Sequence, residues 1–131
     1  MAKEAEKIIG VEIIEQAVRD ACFNARLNGI TNAEFICNDA AGAAAELAKK
    51  GVKPDVVMVD PPRKGCDPSL IRTMCGMAPS RIVYISCDPA TLSRDLRLLG
   101  GEGYRTVQVQ PVDLFPRTAH CENIALLTRE R

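Results

Sequence analysis

Arg81-Ile82-Val83-Tyr84-Ile85-Ser86-Cys87-Asp88-Pro89 passes from an apolar run to a polar loop and sets a thiol at the junction. The β-branched and aromatic residues Ile82 to Ile85 read as a buried strand, and Pro89 with Ala90 reads as the opening of a helix. In open α/β sheets ligands bind just outside the carboxyl ends of the strands, which is where Cys87 falls. A free thiol, with a pKa near ~8.5, is only a few per cent thiolate at neutral pH. A nucleophilic Cys87 therefore needs an activating environment, and the amides of the following helix offer one. The alternative is a small buried hydrophobe, the usual state of a free cysteine.

Outward from this stretch, strands and helices alternate. Lys7 to Val11 reads as a strand ending in Glu12, and Glu15 to Leu27 as a helix with apolar residues at 17, 18, 21, 22 and 25, closed by Asn28-Gly29. Glu34 to Cys37 is a strand and Ala40 to Lys50 an alanine-rich helix stopped by Gly51. Asp55 to Val59 is nearly all apolar, as expected of a strand covered on both faces. Ser69 to Met77 is helical, Ile82 to Ser86 is the strand above, and Ala90 to Leu99 is a helix before Gly100-Gly101. Tyr104 to Gln110 alternates, and Asn123 to Thr128 is a last strand. This is an α/β pattern that ends in an antiparallel pair. There is no internal repeat, low-complexity tract or linker, so residues 1–131 read as one domain.

The 131 residues, 47% of them hydrophobic, suffice for one compact core. Seventeen basic and seventeen acidic side chains cancel, which excludes the general electrostatic footprint of a free-standing nucleic-acid-binding module. Six cysteines in a sequence that can bury its own core argue against a disulfide scaffold. Cys121 beside His120 is the nearest approach to a metal-ligand set, and adjacent residues seldom both reach one ion, so no metal is expected. The N-terminus, with Lys3, Glu4, Glu6 and Lys7, has no signal-peptide core, and no apolar run is long enough to span a bilayer. A reduced, cytoplasmic protein is expected.

Glu12, Asp39, Asp60 and Cys87 fall at the ends of four different strands, and strand ends of a parallel sheet converge on one crevice. Glu12 ends the strand at which a nucleotide-binding unit commonly carries a carboxylate for ribose hydroxyls; otherwise it is a surface charge. Asp39 suits an adenine amino group, or else caps the helix after it. In Val59-Asp60-Pro61-Pro62-Arg63-Lys64-Gly65 the two prolines remove two backbone donors and stiffen the loop, so that Asp60 is a rigid acceptor fit for a planar heterocycle. Glu122 opens the last strand and is a candidate base if the fold brings it to Cys87. His120, the single histidine, reads as a hydrogen-bonding scaffold residue.

With Asp60-Pro61-Pro62-Arg63-Lys64-Gly65-Cys66, Ser86-Cys87-Asp88-Pro89-Ala90-Thr91-Leu92-Ser93-Arg94-Asp95 and Asp113-Leu114-Phe115-Pro116-Arg117-Thr118-Ala119-His120-Cys121-Glu122 in that order, the chain resembles the S-adenosylmethionine-dependent RNA (uracil-5-)-methyltransferases. Gly10-Val11-Glu12 and Asn24-Ala25-Arg26-Leu27-Asn28-Gly29 extend the likeness over nearly its whole length. The resemblance implies a Rossmann-like methyltransferase sheet and a role in modifying ribosomal or transfer RNA. Cys87 would add to C6 of uracil, and Glu122 would remove the C5 proton after methyl transfer. Asp60 would hold the uracil edge near the cofactor, Glu12 the cofactor ribose and Asp39 its adenine side. Two positions depart from the family, Asp88 where Asn is common and Cys121 where Val is common.

The family has a strand and a glycine-rich loop before the strand at Lys7 to Val11, and these 131 residues hold no counterpart. The chain thus reads as a C-terminal part of a catalytic domain, with weak cofactor binding expected of it alone. In the family's sheet the strand without a counterpart lies between the strands ending at Glu12 and Asp60. Either those two strands pair directly or a homodimer covers the exposed edges. Three other readings remain: a non-catalytic remnant, an amino-group methyltransferase, and a cytosine-5 methyltransferase. Amino-group enzymes place an aromatic residue after the two prolines, where Arg63 stands, and need no thiol; cytosine-5 enzymes surround theirs differently.

Overall fold

The computed structural model describes residues 2–114, 116–118 and 121–130. They form two compact units, residues 1–47 and 48–131.

In the first unit, β1 (Ile8–Glu12) pairs in parallel with β2 (Ala33–Cys37), joined by helix α1 (Glu15–Leu27). Helix α2 (Ala40–Lys49) follows β2. α1 turns the face predicted from its apolar spacing inward: Ala25 is buried, while Phe23 and Leu27 stay exposed. Asn28 is its C-cap and Gly29 follows at φ +65°, the left-handed conformation in which glycine carries no Cβ penalty. Gly10 lies opposite Phe35 in the ladder, and a Cβ at Gly10 would come within 2.8 Å of the Phe35 ring, so the glycine admits the aromatic side chain across the strand.

The second unit holds β3 (Val56–Val59), α3 (Pro68–Gly76), β4 (Arg81–Ser86), α4 (Pro89–Gly101), β5 (Tyr104–Val112) and β6 (Glu122–Arg129). Its sheet has the order β3-β4-β6-β5; β3 and β4 are parallel, and β6 runs antiparallel between β4 and β5. The antiparallel end expected from sequence is thus present. Between Thr106 and Gln108 the β5–β6 register shifts, so Val107 is an extra residue on the β5 side. Inward positions of β4 and β6 alternate strictly, with Ile82, Tyr84, Ala125 and Leu127 fully buried; Ile71 and Met74 of α3 and Leu92 and Leu99 of α4 are buried as well. Each such aliphatic side chain contributes about 1.5–3 kcal/mol by leaving water.

Caps explain the helix boundaries. Asp67 accepts the Ser69 N–H at 2.7 Å and Pro68 takes the first helical position, so α3 begins one residue before the apolar spacing indicates. α4 includes Gly100 and ends at Gly101, because the stop is set by Gly103 at φ +87° beyond the Glu102 cap.

β3 departs from expectation. Val56 and Met58 are each 46% exposed, so this strand is not covered on both faces. Among the described residues of its unit, its single ladder partner is β4. An edge strand with one partner keeps part of its apolar surface outward. No described helix is long and apolar enough to cross a membrane.

Candidate active site

In the second unit three of the candidate residues gather at one edge of the sheet. β4 pairs with β6 from Arg81↔Thr128 through Ser86↔Asn123. That last pair stands one residue before Cys87, which follows β4, and one residue after Glu122, the first residue of β6, so both lie at this end of the ladder. Cys87 and Glu122 are both half-buried. Asp60 follows Val59, which pairs with Tyr84 in parallel, and is exposed at the same edge.

Cys87 also immediately precedes the α4 cap. Asp88 accepts the Ala90 and Thr91 N–H groups at 2.8 and 3.0 Å, and the Ser86 hydroxyl accepts the Asp88 N–H and donates back to the Asp88 carbonyl. The Thr91 amide, then that of Ala90, holds the Asp88 carboxyl below the ordinary carboxylate range. Asp88 thus has a structural role that Asn serves equally, which accounts for the departure at this position.

The loop after Asp60 is tied down by residues the sequence reading did not single out. The Gly65 N–H donates to the Pro62 carbonyl at 2.8 Å, and Gly65 adopts φ +77°. The next amide, that of Cys66, donates to Asp95 Oδ2 at 2.8 Å, and the Tyr84 hydroxyl donates to the same oxygen. Asp95 is wholly buried, and its Oδ1 accepts from Arg94 Nε at 2.8 Å. Arg94, half exposed, extends Nη2 to the Lys64 carbonyl at 2.8 Å. Burial, then the hydrogen bond with Asp95, pushes the Tyr84 phenol far up, and burial pushes the Cys66 thiol up. The sequence carried a signal for Asp95: it shares a helical stripe with Leu92 and Leu99, and a carboxylate in an apolar stripe must find donors.

In the first unit Glu12 and Asp39 gather at the carboxyl end of the β1–β2 pair. Glu12 closes that ladder opposite Cys37, is exposed, and accepts the Ile14 N–H on Oε1 at 2.9 Å. Asp39 accepts the Gly42 N–H on Oδ1 at 2.9 Å, the bond of a helix cap at the head of α2. His120 lies outside the described residues.

The tRNA (Uracil-5-)-methyltransferase family matches residues 1–130 of the chain. An uncharacterized RNA methyltransferase of Caldanaerobacter subterraneus subsp. tengcongensis is 54% identical over 128 residues, which are 98% of this chain and 28% of that protein. One from Clostridium tetani is 52% identical over the same coverage. Among solved structures, the Pyrococcus abyssi tRNA (uracil-54, C5)-methyltransferase in complex with S-adenosyl-L-homocysteine superposes with a TM-score of 0.82 at 34% identity, over 97% of this chain and 30% of that one. That likeness bears out the Rossmann-like methyltransferase fold expected above. The chain spans about 28% of the length of the curated relatives it matches.

Proposed function

The chain belongs to the tRNA (uracil-5-)-methyltransferase family, and from that premise we propose that it is the C-terminal part of the catalytic domain of an RNA methyltransferase acting on C5 of a uridine in ribosomal or transfer RNA. The observation that supports this reading is the β4–β6 ladder, whose last pair, Ser86 and Asn123, adjoins Cys87 and Glu122 in sequence at the carboxyl edge of β4.

Uracil C5 is too weak a nucleophile to accept a methyl group unaided. The Cys87 thiolate adds to C6, and the electrons of the C5–C6 double bond move toward O4, leaving C5 nucleophilic. S-adenosylmethionine, when bound, supplies the electrophilic methyl. C5 then carries both methyl and hydrogen. The Glu122 carboxylate removes that proton, the C5–C6 double bond re-forms, and Cys87 leaves as thiolate. Asp60, on its proline-stiffened loop, accepts from the uracil edge and keeps the ring in the plane that this sequence needs. The uridine reaches the site only by leaving its stack.

The acceptors of the first unit fit the adenosine half of the cofactor. The Ile14 amide fixes one Glu12 oxygen and leaves the other for a ribose hydroxyl. Asp39, at a helix head, would face the adenine amino group. An RNA substrate and a set of free thiols suit a cytoplasmic protein, and a homodimer is the arrangement that would cover the exposed sheet edges.

The test is adduct trapping. Full-length enzyme is incubated with cofactor and RNA carrying 5-fluorouridine, whose C5–F bond cannot yield a proton to Glu122. A denaturation-resistant complex that is lost in Cys87→Ala is expected. Its absence with competent enzyme would overturn the reading, and an amino-group methyltransferase would leave no such complex.

A further inference from the structure

Asp95 satisfies more donors than its helix requires. A leucine there would continue the Leu92–Leu99 stripe but would leave the Cys66 amide and the Tyr84 hydroxyl without this acceptor. What the carboxylate provides is a fixed set of partners. Its bonds are directional: they go to the Cys66 backbone amide, the Tyr84 hydroxyl and the Arg94 guanidinium, and Arg94 reaches on to the Lys64 carbonyl. Gly65 is shaped around the pair, since a Cβ there would collide with both the Asp95 carboxylate and the Arg94 guanidinium.

The two ends of this latch are the two halves of the candidate active site. The loop it grips starts at Asp60, and the helix that grips it starts just after Cys87. We propose that Asp95, with Arg94, is a positioning residue that fixes the Asp60 loop against α4 and so sets the uracil-edge acceptor relative to the attacking thiol. This role deepens the methyl-transfer reading above and rests on it. It touches neither uracil nor cofactor, so its loss acts on the rate of the covalent step and not on RNA affinity. A displacement of about 1 Å in such a constellation costs on the order of 10²-fold in rate.

The experiment uses the full-length enzyme with Asp95→Asn and, because a buried substitution can impair folding, Arg94→Gln at the half-exposed position. Single-turnover adduct formation with 5-fluorouridine RNA is measured beside RNA Kd, melting temperature and hydrogen exchange of the Cys66 amide. Asp95→Asn is expected to slow adduct formation at least tenfold per folded molecule and Arg94→Gln severalfold, with RNA Kd within twofold and faster Cys66 exchange. Cooling the sample to restore the folded fraction leaves the rate low. Unchanged rates in both variants, or a rate that recovers in step with the folded fraction, would overturn the latch while leaving the reaction intact. A wild-type enzyme that forms no Cys87-dependent adduct overturns the reaction itself and this role with it.

Discussion

Ser86 of β4 pairs with Asn123 of β6, closing their ladder at the edge where Cys87 and Glu122 emerge on neighbouring strands. Cys87 and Glu122 are 35 positions apart in sequence, yet the antiparallel ladder brings both to one end of the sheet. The proposed division of labour between them gives distinct phenotypes.

Cys87→Ala removes the attacking group. In full-length enzyme, methyl transfer is expected to fall on the order of 10³-fold or more, with cofactor binding retained, as read by tritium release from C5-labelled RNA and by calorimetry. Activity within tenfold of wild type would exclude Cys87 as the nucleophile.

Glu122→Gln keeps the side-chain shape but cannot take the proton. Addition and methylation proceed while release slows by roughly 10²–10⁴-fold, so a covalent enzyme–RNA complex accumulates on ordinary uridine RNA. Gel mobility under denaturing conditions detects it. Free turnover with no trapped complex would assign the base elsewhere.

Gly65 and Gly103 separate two costs of adding a methyl group. Both have positive φ, +77° and +87°, but only at Gly65 would the new Cβ meet neighbours, the Asp95 and Arg94 side chains. Gly103→Ala is expected to cost about 1 kcal/mol from backbone strain alone and Gly65→Ala about 2–3 kcal/mol or more. Urea denaturation of both variants ranks them; equal costs would mean the loop adjusts away from α4.

The α4 cap predicts an acid limb of stability. Asp88 titrates below the ordinary carboxylate range in the folded state, chiefly through the Thr91 amide. Its contribution is therefore present above the unfolded Asp value of about 3.9 and is lost as pH falls through the lower folded value. Asp88→Asn keeps a capping oxygen and removes this group's share of the pH dependence. Melting temperatures from pH 7 down to pH 2 should fall less steeply in the variant, and parallel curves would show that the cap carries no charge-dependent stability.

Thiol chemistry should follow burial. Cys37 is exposed, whereas burial, then the nearby Glu102, pushes Cys75 up to about 11, and burial likewise raises Cys66. Iodoacetamide at pH 8, followed by peptide mass mapping, is expected to label Cys37 well before Cys75, with the Cys75 rate climbing about tenfold per pH unit up to its pKa. Early labelling of Cys75 would indicate local opening of α3.

Much of this fold was legible from local signals. The strand at Ile82 to Ser86 and the helix from Glu15 to Leu27 were bounded by apolar spacing and turn residues, because burial on one face imposes a period of 2 or 3.6 on the chain itself. The ends of α3 and α4 were read less well, since Pro68 and Gly103 act through caps whose choice depends on a few tenths of a kcal/mol between neighbouring positions. The exposure of Val56 and Met58 was not legible at all: an apolar run states that a strand can be covered, and only its neighbours determine whether it is.

The α/β order and the residue types at the strand ends follow from the chain alone, because periodicity, turn chemistry and the thiol–carboxylate set are local properties. The insertion of β6 between β4 and β5, which brings Glu122 to the end of the sheet where Cys87 stands, is visible only in the folded chain. The folded chain alone showed that Asp95 holds the loop after Asp60. The reason is common to both: strand order and a buried carboxylate's donors are long-range pairings, fixed by the free energy of the assembled core and not by any local preference along the chain.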